Sequence, residues 1–335
     1  MLICIGNSLF FMLMLHWIIL GRNFAGILIY NVFNMKISTR GIVVTLALWA
    51  LSALPAAAFF TDGNVNQTMG SGGYVGTQAS ADIGGALHFQ PSFQEYHGDG
   101  TKGYTYRTYS LRAAYDKKSW GLGLSGGATP TIDGYNNYFF GADGVLSLMP
   151  GNGPPLRAAA QASNPYYWGP SSAGLAGVDL RVGATEIHNG ENSTFLGKAG
   201  SANFGQTNLH GSLDAALMDN LMTVNVTKSL YDRNLGGLGV QNAEVTNLDG
   251  VTNVVLGFPD MSVNAKIQMQ MIPFLTPYLS YTHTTFQLGA QASDAYAFGV
   301  AANLMMLAFN ASYEHYVQPG TTAENFINVG ASLKL

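Results

Sequence analysis

Asn325-Phe326-Ile327-Asn328-Val329-Gly330-Ala331-Ser332-Leu333-Lys334-Leu335 ends the sequence, and its reading decides the fold. Ile327, Val329, Ala331, Leu333 and Leu335 alternate with Asn328, Gly330, Ser332 and Lys334. Successive side chains of an extended strand point to opposite faces, so this stretch carries one apolar face and one small or polar face. A terminal strand leaves a row of N–H and C=O groups open along its outer edge. Pairing that edge with the first strand satisfies them and closes a barrel.

Composition points the same way. The chain has 335 residues, of which 10% are charged, 12% aromatic and 47% hydrophobic, with 41 Gly. Soluble domains carry about 25% charged residues. A chain this poor in charge suits a barrel in which half of each strand faces lipid and half faces a small polar interior. The net charge of −4, with basic residues scattered, argues against nucleic acid as a partner.

The order polar, any, Gly, any, any, apolar, any, apolar at Asn328, Gly330, Leu333 and Leu335 resembles the C-terminal assembly signal of bacterial outer-membrane β-barrels. That family most often ends in Phe, whereas Leu335 stands here. The resemblance implies insertion into outer-membrane lipid, with Asn328, Gly330, Leu333 and Leu335 read by the barrel assembly machinery.

From Met35 the sequence reads as a secretory signal. Lys36 and Arg40 supply the positive start, Gly41 to Leu54 the apolar core, and Pro55-Ala56-Ala57-Ala58 the small-residue cleavage site, so we expect a signal over 35–58 and cleavage after Ala58. Its core is shorter than the roughly 20 apolar residues of a membrane anchor. We read 1–34 as an upstream extension of a misassigned start, the alternative being an extra hydrophobic segment. The single Cys, Cys4, falls in that part, so no disulfide framework is expected. Residues 59–80, with Gly63, Gly70, Gly72, Gly73 and Gly76 among polar side chains, read as a flexible leader.

Over 81–335, period-two segments separated by turns predict an all-β, antiparallel, up-and-down transmembrane barrel of about 12 strands, with ten to fourteen compatible. The expected strands are 82–93, 104–116, 119–127, 137–149, 173–187, 206–218, 221–231, 261–271, 277–286, 295–303, 305–316 and 325–335. Thr129 to Asn136 reads as a loop, and Asp219-Asn220 as a hairpin turn. Leu156 to Ala162, between prolines, reads as a short helix. Val251 to Phe258 is excluded from the wall, because counting it as a strand would put the short turns on the wrong rim.

If the apolar sets face lipid, the lumen receives His88, Arg112, Asp143, Asp179, Arg181, His210, Asp214, Lys266 and Glu314. Asp179 and Arg181 share a strand face, as do His210 and Asp214 on the next strand, so these charges either form a constriction or pair and brace the wall. His210 with Asp214 is a weak candidate for activating water. Outer-membrane phospholipases, barrels of similar size, use a lipid-facing His, Ser and Asn; here His283 is followed two along by Thr285, and no Asn stands in place. The seven His lack metal-ligand spacing, and Gly70 to Gly76 lacks a phosphate-binding fingerprint. We therefore expect no cofactor and no enzyme, but a passive channel for small solutes, with a plugged structural or surface-binding barrel as the alternative.

Overall fold

The computed structural model describes residues 60–98, 103–117, 119–149, 176–192, 201–217, 220–238, 245–247, 251, 254–269, 274–304 and 307–334. The expected signal, the 1–34 extension, Cys4, the helix at 156–162 and Leu335 lie outside them.

Fourteen antiparallel strands close into one barrel. In chain order they are β1 (Phe60–Gly70), β2 (Val75–Gly84), β3 (Leu87–His97), β4 (Thr105–Asp116), β5 (Trp120–Ile132), β6 (Tyr135–Met149), β7 (Ala176–Glu191), β8 (Ala202–Leu217) and β9 (Asn220–Tyr231), then β12 (Pro259–Gln268), β13 (Leu275–Phe286), β14 (Ser293–Leu304), β15 (Leu307–Val317) and β16 (Glu324–Lys334). Between β9 and β12, β10 (Val245–Asn247) and β11 (Val254–Leu256) form a separate two-stranded sheet, so the strand within the expected 251–258 run stays out of the wall as the turn parity requires.

The last strand meets the first. β16 pairs with β1 from Asp62↔Lys334 to Gly70↔Phe326, so neither is left as an edge. Inside this seam Thr68 donates to Asn328 Oδ1, and Asn328 Nδ2 donates to Ser312 Oγ at 3.2 Å, tying β1, β16 and β15 together. Gly330 lies between Asn66 and Asn310, whose amide oxygens occupy the space a Cβ would need. Gly330→Val is thus expected to lower the refolded fraction by roughly half or more, read as the heat-modifiable band on a cold gel, since overpacking costs about 1–3 kcal/mol or more. An unchanged band would show that both asparagines move aside.

The expectation of a leader at 59–80 is corrected: this segment supplies β1 and most of β2. Its outward face is Val65, Gln67 and Met69 on β1 and Val75, Thr77, Ala79 and Ala81 on β2, too small and too polar to show as apolar alternation. Gln67 and Thr77 satisfy each other, with Thr77 Oγ1 donating to Gln67 Oε1 at 3.0 Å, so a polar pair is tolerated on the outer face. The expected strand at 82–93 straddles the turn from β2 to β3. The loop at 129–136 shrinks to Asp133-Gly134, whose φ values of 46° and 78° match the two-residue turn that follows the twist of a hairpin.

Outward and inward faces differ as a membrane requires. Leu122, Leu124, Phe140, Val182 and Phe298 are among the most exposed large side chains, while His88, Thr284 and Asn328 on inward faces are fully buried. The outward row of β4 fixes the height of the apolar band: Tyr109, Leu111, Ala113 and Tyr115 lie between Arg107 and Lys117. That interval, at about 3.3 Å per residue and a tilt near 40°, gives a band roughly 25 Å tall. Lys117 ends it with its ammonium 5.7 Å from the Tyr115 ring and 5.5 Å from that of Trp120. At the opposite rim Arg107, Lys228 and His283 meet Glu95, Asp260 and Asp294 at 2.6, 2.7 and 2.8 Å. His283 does face outward, and Asp294 Oδ1 also accepts the Tyr281 hydroxyl at 2.7 Å.

Candidate functional site: the inner wall

All nine charged residues picked out by alternation sit on inward faces, opposite exposed apolar neighbours such as Leu111, Leu180, Val182, Leu213 and Ile267. The structure sorts them into groups along the wall.

The first group crosses β2 to β6. His88 is fully buried, with Nδ1 2.9 Å from Asp82 Oδ1 and Nε2 3.0 Å from Asp116 Oδ2. Gln90 Nε2 donates to the other Asp82 oxygen at 3.1 Å, and its own oxygen accepts from Arg112 Nη1 at 3.2 Å. Arg112 then grips Asp143 with two nitrogens, Nε at 3.0 Å and Nη2 at 2.5 Å. Arg112 reaches across β5 because Gly123 is there; a Cβ at that position would meet its guanidinium. Gly121 leaves room for Asp116 in the same way.

The second group crosses β7 to β12. Arg181 Nε lies 3.0 Å from Asp214 Oδ2, an ion pair without the angle of a hydrogen bond, and Thr223 Oγ1 donates to Asp214 Oδ1 at 2.6 Å. Ser147 hydrogen-bonds Asp179, which lies within electrostatic reach of Arg181 and Asp214. Lys266, paired in register with Thr223, feels Asp214 as well and holds its ammonium 4.7 Å above the Tyr278 ring. His210 lies over Gly183. Asp214 is therefore engaged by Arg181 and Thr223. Glu314 lies on β15 toward the opposite rim, within electrostatic reach of Tyr278 and Tyr316.

The remaining wall is mostly neutral. Asn264 Nδ2 donates to Ser280 Oγ at 2.9 Å and Thr282 Oγ1 at 2.8 Å, Asn225 donates to Asn264 at 3.2 Å, and Asn64 donates to Ser80 at 2.8 Å. Amides and hydroxyls thus line much of β9 to β2, while most ion pairs lie on β2 to β8.

Sequence reasoning missed Asp82 and Asp116 as the partners of His88, and the inward aromatics near the rim away from the termini. There Tyr96 stacks on Tyr106 at 5.8 Å, Tyr106 meets Tyr135 edge-on at 5.7 Å, and Tyr74 meets Phe326 edge-on at 5.1 Å. Inward parity was a signal for Tyr96, Tyr106, Tyr135 and Phe326 once their strands were recognised, whereas Tyr74 lies in the turn between β1 and β2.

No protein-family model matches the sequence, and no curated protein matches it. Among solved structures the chain is similar to a CymD monoaromatic hydrocarbon channel, at 10% identity and a TM-score of 0.44 over 83% of this chain and 88% of that one. It is similar to Pseudomonas putida OprB at 7% identity and a TM-score of 0.43, over 82% of this chain and 94% of that one. The NanC porin gives 11% identity and a TM-score of 0.40 over 82% of this chain and all of the other. Likeness at this level shows neither a family nor a solute.

Proposed function

We propose that the protein is an outer-membrane channel through which small polar solutes diffuse passively. What carries the reading is a closed wall of fourteen strands, apolar outside and lined inside by amides, hydroxyls and paired charges. Barrels of about eight strands are filled by side chains, whereas those of about 16 to 18 enclose an aqueous pore. Fourteen strands leave a lumen of intermediate width.

The inward charges set the ion preference. The inward acids, among them Asp82, Asp116, Asp143, Asp179, Glu191, Asp214 and Glu314, outnumber the inward cations Arg112, Arg181 and Lys266. Fixed charge in a narrow pore biases which ion enters. The purified protein in a planar bilayer under a salt gradient is expected to pass current and prefer cations. The double variant Arg181→Glu/Lys266→Glu should move the reversal potential further in that direction. A preference for anions in the wild type would overturn the charge assignment.

One observation favours a second reading, a barrel closed by its own chain. Leu235 and Phe258, from the connection between β9 and β12, pack with the inward-facing Phe204, and Tyr231 borders them. The Phe204 and Phe258 rings lie 5.5 Å apart. A correctly folded protein that passes no current would favour this reading over the channel.

A further inference from the structure

The rim away from the termini holds a patch whose hydrogen bonding is incomplete among the described residues. Tyr106 on β4, Asn189 on β7 and Gln206 on β8 face inward and are at most 3% exposed. Tyr106 Oη, Asn189 Nδ2 and Gln206 Oε1 have no hydrogen-bond partner among the described residues. Their neighbours fix what each atom offers. Tyr135 Oη donates to Asn189 Oδ1 at 3.4 Å and accepts from Asn137 Nδ2 at 2.8 Å, which leaves the Asn189 amide nitrogen as a donor. Gln206 Nε2 donates to Asn208 Oδ1 at 2.9 Å and Ser229 Oγ at 3.4 Å, which leaves the Gln206 oxygen as an acceptor. The Tyr106 hydroxyl does both.

β7 and β8 hold the two amides side by side, with Ile187↔Gln206 and Asn189↔Phe204 in register. Tyr106 joins them through its edge contact with Tyr135. A buried donor or acceptor left unmade costs free energy that a suitable partner recovers. The partner here must donate and accept from neighbouring atoms, which hydroxyl groups do and ammonium or carboxylate groups do not. It must also lay an apolar surface against tyrosine rings. Glu191, paired in register with Tyr135 and itself buried, disfavours a negative charge.

We propose that this throat, built by β4, β6, β7 and β8, is a saturable site for a neutral polyhydroxylated solute, a sugar, on the path through the barrel. The inference rests on the channel reading for its place on a path, but binding itself does not require current. The side chains part to admit the ring, and its hydroxyls take the bonds left open.

The test uses the full-length mature protein, folded in detergent and reconstituted. Glucose and maltose are expected to interrupt the ion current in a saturable way, and galacturonate to do so at least tenfold more weakly. Tyr106→Phe and Asn189→Leu should each raise the half-saturating concentration roughly tenfold, the scale of one lost hydrogen bond. Tyr106→Phe removes an unbonded hydroxyl, so a purely structural role predicts a variant that folds and is interrupted as the wild type is. Current that neutral sugars leave untouched overturns the site and leaves the channel standing. In a protein that passes no current, calorimetric titration with maltose decides: binding keeps the site and removes the channel, and no binding removes both. Equal affinity for galacturonate overturns the neutral class.

Discussion

Leu124→Arg is expected to destabilise the folded barrel by about 2–4 kcal/mol, and Ala128→Arg, four residues along the same strand face, by no more than about 1 kcal/mol. Leu124 is 67% exposed on the outside of β5 and pairs with Ala113 and Ala142. Ala113 lies inside the apolar band between Arg107 and Lys117, so a guanidinium at 124 sits in hydrocarbon with a long reach to either rim. Ala128 pairs with Tyr109, one outward position from Arg107, where an arginine can reach the polar boundary. Urea titration of both variants in lipid vesicles, followed by tryptophan fluorescence, gives the two free energies. Equal and small costs would show that lipid does not cover this face.

The same depth argument explains what alternation revealed. A residue's face follows from parity alone, so eleven of the expected strands and the inward set from His88 to Glu314 were readable without coordinates. Closure was readable too, because an unpaired β16 edge has to find a partner. β1 and β2 were not, since Gln67 and Thr77 interrupt the outer face and neutralise each other only once the strands pair. Partnerships are likewise a matter of register. Nothing in the sequence places Asp82 and Asp116 on either side of His88, which requires β3 to lie between β2 and β4 with the register observed. Glycine behaves similarly: Gly123 and Gly330 fall inside expected strands, but only the register shows that they are gaps which neighbouring side chains fill. The atoms of Tyr106, Asn189 and Gln206 that lack a partner among the described residues were invisible for the same reason, because such a gap shows only once the strands are in register.

The Arg112 network is where the wall should be most sensitive. Arg112→Met is expected to cost about 3–5 kcal/mol, the usual penalty for removing one partner of a buried ion pair. Arg112 and Asp143 are 7% and 18% exposed, so Asp143 keeps some access to water and the lower end of that range applies. The loss extends past Asp143, because Gln90 loses the donor to its oxygen and with it the link toward Asp82, His88 and Asp116. Arg112→Met/Asp143→Leu should recover at least half of the single-variant loss. Replacing both partners removes the unpaired charge as well as the attraction, and hydrophobic replacement of a buried pair is often neutral. His88→Leu acts on the same chain by stripping two buried carboxylates of their shared partner, and adding Arg112→Met should cost less than the sum of the two because the sites share Gln90 and Asp82. Equilibrium unfolding of the three singles, Arg112→Met, Asp143→Leu and His88→Leu, and of the two doubles in one detergent supplies both cycles. Strict additivity for Arg112 with Asp143 would mean that the two side chains merely lie together, and the wall would owe its stability to backbone pairing and the glycine gaps alone.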